Sequence, residues 1–310
     1  MQYVYPSYYP SFACIKGACR HSCCIGWEID VDGDALARYD AETGDVGERL
    51  RAAIERDGTP HFILTKDERC PFLNREGLCD LILARGEGAL CDICREHPRF
   101  HNELPGRLES GLGLSCEAAA ELILGTEERV TLVGLDGTPN DDEILRLRDE
   151  AIEALQERDR PIDLRLSALL SRYGASVPTY DCAAWTELLL SLECLDPAWT
   201  DLIRRLKERG DALDFSAFDA HVKKHETEYE QLLVYLVYRY TANAFDEAEA
   251  VETLRFAAFS YRLLHTLGAL LFTEQGRSDF TDRVELVRLF SSEIEYCEEN
   301  VERITDFLRI

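Results

Sequence analysis

Residues 12–27 read FACIKGACRHSCCIGW, and this stretch sets the character of the N-terminal part of the chain. Nine of the twelve cysteines lie between positions 14 and 116. They are Cys14, Cys19, Cys23, Cys24, Cys70, Cys79, Cys91, Cys94 and Cys116. Turn-forming segments such as LNREG and ARGEG separate them. Such breakers are typical of short irregular segments, so we expect this part of the chain to be organised around a site.

The composition is that of a globular protein. The chain has 310 residues, of which 46% are hydrophobic, so it can bury a sizeable core as two packed units or one large domain. Its formal charge of -25 argues against nucleic-acid binding, because neutralising phosphates requires clustered lysine and arginine. We therefore expect no nucleic-acid partner.

We expect neither a signal peptide nor a membrane span. The first residues, MQYVYPSYYP, lack a basic start followed by an apolar run. The most apolar segment, 251–272, contains four charged or titratable side chains and is too polar to cross a membrane. A cytoplasmic location is the expectation. In a reducing compartment, clustered cysteines indicate metal or redox chemistry more often than disulfides.

The hydrophobic pattern becomes helical after residue 140. Asn140 is a predicted N-terminal cap, a second helix is expected to end at Gly174, and further helices are predicted over 228–243, 248–272 and 280–308. Short strands are predicted over 27–32 and 129–135, with a hairpin over 70–82. The predicted fold is mainly α. An irregular cysteine-rich N-terminal unit with short strands, 1–125, precedes an all-helical C-terminal unit, 126–310.

The cysteine spacing favours a metal centre. Thiolates suit zinc and iron–sulfur clusters alike, and four ligands complete either one, so the spacing leaves both open. Cys91 and Cys94 form a C-x2-C pair that can reach one metal. Cys23 and Cys24 are adjacent, and sharing a metal would require a turn there. The scattered Cys182, Cys194 and Cys297 are interpreted as small apolar side chains.

Several stretches together resemble the flagellin lysine-N-methylases, which belong to a broader cysteine-rich group described as zinc- or iron-chelating. In the cysteine-rich part these are YPSYYPSFACIKGACRHSCCIGWEIDVD, CPFLNREGLCDLI, LCDICREHPRF and LSC. Beyond it they are ILRLRDEAIEALQERDRPIDLRLSALL, LLVYLVYRY and SSEIEYCEENVERI. The resemblance therefore covers most of the chain.

This resemblance implies a protein-lysine methyltransferase. Its members transfer methyl groups from S-adenosylmethionine to lysine amines of flagellin in the cytoplasm, and they hold an oxygen-sensitive [4Fe-4S] cluster through the cysteine-rich segment. All nine clustered cysteines match the family's cysteine positions. The resemblance does not identify the four ligands. The leading candidates are Cys19, Cys23, Cys24, Cys70, Cys79 and Cys94.

The residues also suggest how cofactor and substrate are held. No glycine-rich turn of the dinucleotide-binding kind is present, and LVGLDGTPN is the nearest approach to one. Arg95 or Arg99 is predicted to bind the carboxylate of S-adenosylmethionine, because a guanidinium offers a carboxylate two parallel donors. Tyr5, Tyr8 and Tyr9 are predicted to line the lysine channel and hold the ammonium by cation–π contact.

A second interpretation stays open at this point. The chain could be a non-catalytic zinc-binding interaction protein, with zinc in structural sites and the acidic helices as a partner surface. An iron–sulfur centre would give anaerobically purified protein a broad visible absorbance, whereas zinc is colourless.

Overall fold

The computed structural model describes residues 1–135 and 142–309 and confirms the mainly α fold. The helices of the first half are α1 Gly33–Ala41, α2 Gly44–Ala52, α3 Asp80–Arg85, α4 Asp92–Glu96, α5 Glu117–Leu124, α6 Glu143–Leu155 and α7 Ile162–Arg172. Those of the second half are α8 Cys182–Ser191, α9 Pro197–Arg209, α10 Phe215–Val222, α11 Glu226–Tyr240, α12 Glu247–Gln275, α13 Phe280–Phe290 and α14 Glu298–Leu308. The strands are β1 Gln2–Pro6, β2 Ile54–Glu55, β3 His61–Phe62, β4 Arg99–Leu104, β5 Arg107–Leu112 and β6 Leu132–Val133.

The chain divides into two compact units. We call residues 13–100 and 116–118 the cysteine unit, and residues 1–12, 101–115 and 119–310 the helical unit. The sequence prediction drew one boundary, after residue 125. In the structure the first twelve residues and the segment 101–115 belong with the helices instead, because they build the sheet described next.

The helical unit contains a small sheet with strand order β4-β5-β1-β6. β1 runs parallel to β5, with Tyr3 opposite Leu108, and antiparallel to β6, with Tyr5 opposite Val133. Val4 is fully buried while its neighbour Tyr3 is exposed, as the two-residue period of a strand requires. The strand predicted over 129–135 thus forms at its centre, and the N-terminus is a strand that the sequence analysis did not predict.

Two long helices form the centre of the helical unit. α11 buries an unbroken run from Tyr229 to Tyr238, and α12 buries most of its length, so both are covered on nearly every side. Asp246 caps α12 by accepting a hydrogen bond from the Glu249 amide, and Gly276 ends it in the left-handed conformation. No helix in the described ranges combines the length and apolar character that a membrane crossing requires.

The helix predictions are confirmed in part. The helices expected over 228–243 and 248–272 correspond to α11 and α12. The single helix expected over 280–308 is wrong, since a π-helical segment, Ser291–Glu295, separates α13 from α14. The predicted cap Asn140 and the turn in LVGLDGTPN fall at least partly on 136–141, outside the described residues. Asp142 caps α6 instead, accepting from the Ile144 amide.

The cysteine unit has its own hydrophobic core. Its side chains come from the extended segment 29–31, α1, α2, β2, β3 and the start of α3. The rings of Phe62 and Phe72 meet edge to face, with centroids 5.3 Å apart. Ile29 and Val31 are buried and Asp30 is exposed, so the predicted alternation is present. Only one bridge, Asp30 with His61, pairs this segment, and it therefore does not form the predicted strand.

Candidate functional site

Five cysteines of the cysteine unit gather at its core, and we call them the inner thiols. They are Cys24, Cys70, Cys79, Cys91 and Cys94. Cys70 and Cys91 are buried within the core, and the other three pack against it. No cysteine in the described part of the chain forms a disulfide. The inner thiols are therefore a set of soft donors gathered from four separate segments of the sequence.

Local structure explains how these segments meet. The Cys70 amide donates to the Cys24 carbonyl at 2.8 Å, which ties the CC pair to the hairpin. Leu73 bridges Cys79 across that hairpin, whose turn ends at Gly77 with φ 73°. The predicted hairpin is thus confirmed, with its two cysteines at the base. Turn and pairing together bring distant thiols to one place.

Hydrogen bonds between sulfurs prepare two inner thiols for deprotonation. The hydrogen bond from Cys23 lowers the pKa of Cys24 to about 7. The Cys94 thiol likewise lowers the pKa of Cys91 by hydrogen bonding, and that same contact, with burial, raises the pKa of Cys94. Burial raises the pKa of Cys70 to about 12. One thiol of each contacting pair is therefore the easier one to convert to a metal-binding thiolate.

The remaining four clustered cysteines, which we call the outer thiols, are not part of the hydrophobic core of the cysteine unit. They are Cys14, Cys19, Cys23 and Cys116. The hydrogen bond with Cys24 is the main cause that raises the pKa of Cys23, and charges on Cys116 and Cys14 add to it. Burial raises the pKa of Cys19 to about 11, with a smaller contribution from Cys116. Cys23 and Cys24 thus belong to different groups while touching each other.

Glu117 binds Arg20 and contacts Cys19, one of the outer thiols, and this role was not predicted from the sequence. Its carboxylate is 4% exposed and accepts from the Arg20 amide at 2.9 Å and from Arg20 Nε at 2.6 Å. The Cys19 sulfur lies 3.6 Å from Glu117 Oε2. Because Glu117 directly follows Cys116, this ion pair fixes Cys19 near Cys116. The sequence offered one signal for this residue, an acid directly after a cysteine.

The inner thiols are chemically suitable metal ligands, but their sulfurs are not positioned around one common point as the ligands of a bound metal are. Thiolates are the ligands of both tetrahedral zinc and iron–sulfur clusters. Among the side chains that the structure describes, no three His, Cys, Asp or Glu groups are placed so that they could hold one metal ion. Binding would therefore require the inner sulfurs to draw together.

The two arginines predicted to bind cofactor lie in the cysteine unit. Arg95 is exposed and pairs with Asp92 and, at 3.2 Å, with Glu96. Arg99 is half-buried at the start of β4. Arg95 would have to leave two acidic partners to bind a carboxylate. The structure thus favours neither residue, and their role stays a prediction.

The three predicted channel tyrosines separate into two environments within the helical unit. Tyr8 is buried, and burial raises its pKa above the usual value. Tyr5 and Tyr9 are half-buried, and their rings pack at a tilt of 35° with centroids 5.4 Å apart. Tyr3 extends this packing at 5.3 Å from Tyr5 and was missed by the sequence analysis. We call Tyr3, Tyr5 and Tyr9 the tyrosine ladder. It offers aromatic surface to solvent, which Tyr8 does not.

His97 lies in the cysteine unit after α4 and gives a prediction on pH. Burial lowers its pKa to about 4, against 6.5 for an ordinary histidine. The unfolded state therefore binds the proton first, and stability falls as pH drops from about 6.5 to 4. We expect a loss of up to about 3 kcal/mol over this window in urea unfolding. His97→Gln should flatten the profile, and parallel profiles for the two proteins would contradict the assignment.

Comparison with known proteins places the C-terminal part of the chain. Residues 184–310 match the family model of the FliB lysine N-methylase C-terminal domain. A lysine-N-methylase of Salmonella choleraesuis (strain SC-B67) is 27% identical over 141 residues, covering 41% of this chain and 33% of the relative. A lysine-N-methylase of Salmonella typhimurium (strain LT2) is 26% identical with the same coverage.

A third relative is a flagellar biosynthetic protein, FliU, of Salmonella muenchen. It is 26% identical over 141 residues, which make up 41% of this chain and 79% of the relative. The chain spans about a third of the length of the two lysine-N-methylases that it matches. No solved structure matches it significantly. The family-model match lies wholly within the helical unit and includes none of the nine clustered cysteines.

Proposed function

We propose that this chain, whose residues 184–310 match the family model of the FliB lysine N-methylase C-terminal domain, methylates lysine side chains of flagellin with S-adenosylmethionine as donor. The observation that carries the proposal is the family match over α8 to α14, together with the names of the relatives. In the overall reaction a bond forms between lysine Nε and the methyl carbon. The bond from that carbon to sulfur breaks, and the ammonium proton leaves.

The chemistry requires a neutral lysine amine. An ammonium has no lone pair to form the new bond, so the site must desolvate it or accept its proton. The tyrosine ladder is proposed to contact the incoming side chain through the faces of Tyr5 and Tyr9. Tyr8 is too buried to do so and is proposed to support β1 from within the core.

The inner thiols are proposed to hold a [4Fe-4S] cluster, with zinc as the alternative. When bound, a cluster would supply an iron centre beside which S-adenosylmethionine can be placed. Five thiols gathered at one core support this assignment because four sulfurs complete a cubane. The cytoplasmic location expected from the sequence is part of this proposal, because the enzyme would methylate flagellin in the cytoplasm before flagellin is exported.

Two measurements on anaerobically purified protein test the proposal. Methyl transfer from labelled S-adenosylmethionine to flagellin should appear on lysine, as mass spectrometry of the product reports. Broad visible absorbance with iron and sulfide should accompany it. Colourless protein that contains stoichiometric zinc would rule out the cluster and leave the transferase proposal standing. Absence of lysine methylation by iron-loaded protein would overturn the transferase proposal itself.

A further inference from the structure

The π-helical segment Ser291–Glu295 brings a buried carboxylate against α11. Glu295 and Tyr296 come from this side, and Tyr235, Arg239 and Tyr240 come from α11. We call these five residues the Glu295 pocket. They lie in the stretches LLVYLVYRY and SSEIEYCEENVERI, both within the residues that match the family model. A π-helical turn inside an otherwise α-helical region often marks a functional site.

One oxygen of Glu295 is satisfied and the other is not. Oε1 accepts from the hydroxyl of Tyr235 at 2.8 Å and from that of Tyr240 at 3.1 Å. Oε2 is buried without a hydrogen-bond partner in the described residues. A carboxylate accepts about four hydrogen bonds, and a buried acceptor without a donor costs about 1–3 kcal/mol. Oε2 thus has the capacity for a donor that the described residues do not supply.

The aromatic side chains around this carboxylate already stabilise one cation. The guanidinium carbon of Arg239 lies 5.5 Å from the ring centroid of Tyr240 and 5.4 Å from that of Tyr296. Both distances are within the range of cation–π attraction. Arg239 also donates to the Tyr235 hydroxyl at 2.7 Å, while its distance to Glu295 Oε1 is 3.6 Å. Arg239, Tyr240 and Tyr296 are half-buried, so this side of the pocket reaches solvent.

Glu293, the other acid of the π-helical segment, has a structural role. Glu293 accepts from the amides of Leu195 and Asp196 at 2.9 and 3.0 Å, and thereby anchors the start of α9. Asn300 donates to the Glu293 carbonyl at 2.8 Å and stabilises the π-helical backbone. Burial raises the pKa of Tyr235 and Tyr240, so their hydroxyls keep their protons and act as donors. Of the two acids in this segment, Glu295 is the one that has a carboxylate oxygen without a donor among the described residues and aromatic rings beside it.

We propose that the Glu295 pocket binds a primary alkylammonium, the chemistry of a lysine side chain. Oε2 accepts from the ammonium, and the rings of Tyr240 and Tyr296 cover it. Arg239 is the competing cation and must move aside when the amine enters. Identifying this amine with the methyl acceptor rests on the proposed function and would assign its ammonium to Glu295 instead of the tyrosine ladder. Binding of the amine itself does not depend on that identification.

The test uses the full chain without S-adenosylmethionine. Binding of Nα-acetyl-lysine methylamide is followed by NMR or calorimetry, with the norleucine analogue as the uncharged control. Lysine should bind saturably and at least about tenfold more tightly than the norleucine analogue, because only the ammonium can form a charged hydrogen bond with Oε2. Glu295→Gln should remove that preference. Glu299→Gln, an exposed change on α14, is the matched control and should leave binding unchanged.

A second variant keeps the proposal testable if Glu295→Gln fails to fold, as judged by circular dichroism. Arg239→Met removes the competing cation and should increase lysine affinity several-fold, a gain that a purely structural arginine would not give. Equal binding of the two analogues by the wild-type protein would overturn the proposal. So would loss of binding in Tyr9→Leu with Glu295→Gln unaffected, which would place the amine at the tyrosine ladder. Because methyl transfer is measured separately, its failure leaves the binding result intact.

Discussion

Replacing Glu230 by glutamine is expected to lower the free energy of unfolding by about 3–5 kcal/mol. Glu230 lies in α11 and is fully buried. It accepts from Arg158 Nη2 at 2.8 Å and from Arg165 Nη1 at 2.6 Å. Arg165 is itself only 3% exposed. The change therefore leaves a buried guanidinium without its full counter-charge, which costs more than the pair contributes when intact.

Urea unfolding of the protein, followed through its helical signal, measures this loss of stability. The matched control is Glu187→Gln, which changes an exposed acid of α8 and should shift stability by less than about 0.5 kcal/mol. Arg158, just before α7, and Arg165, in α7, both bind Glu230 of α11. We therefore expect the whole unfolding transition to shift to lower urea concentration as a single step. A loss below 1 kcal/mol for Glu230→Gln would mean that water reaches the pair and replaces the carboxylate.

Replacing Cys94 by serine is expected to abolish cluster binding and, with it, methyl transfer. Cys94 packs on the core of the cysteine unit and hydrogen-bonds the Cys91 sulfur, which lowers the pKa of that inner thiol. Disturbing a group that only supports a metal ligand costs about 10–100-fold in affinity or activity, and removal of a ligand should exceed this. Iron content, visible absorbance and methylated flagellin are the measurements.

The matched control is Cys194→Ser, the same exchange at an exposed cysteine of the helical unit. It should retain iron and activity. Cys23→Ser tests the outer thiols, which we expect to matter less for the iron content. If Cys94→Ser loses iron yet methylates flagellin at the control rate, the cluster is structural. If it keeps its iron, the inner thiols are not the ligands.

Part of the candidate site could be predicted from the sequence. The hairpin was predictable because its turn residues and cysteines are close in sequence, and Cys70 and Cys79 do lie at its base. Arg95 was predicted to be available for a carboxylate, whereas the structure pairs it with Asp92 and Glu96. Local sequence reports which residue types are present. It does not report which of several acids a flexible arginine will meet.

The break between α13 and α14 shows the same limit. The apolar positions of residues 280–308 continue at helical spacing, so this periodicity predicts one helix. The π-helical turn is held by contacts with the segment before α9, through Glu293, and by Asn300. The Leu195 amide is 98 residues away from Glu293 in sequence, so no local pattern encodes this contact. The same turn places Glu295 against α11, and for this reason the Glu295 pocket could not be predicted from the sequence.

The sequence by itself determined the helical class of the chain, its cysteine-rich N-terminal part and its resemblance to the lysine N-methylases. These follow from periodicity, composition and short patterns, all of which are local. Only the tertiary structure decided that Cys23 and Cys24 belong to different groups of thiols, and that Glu295 keeps one oxygen without a donor. Both depend on which distant segments pack together, because burial and hydrogen bonding are properties of the assembled core.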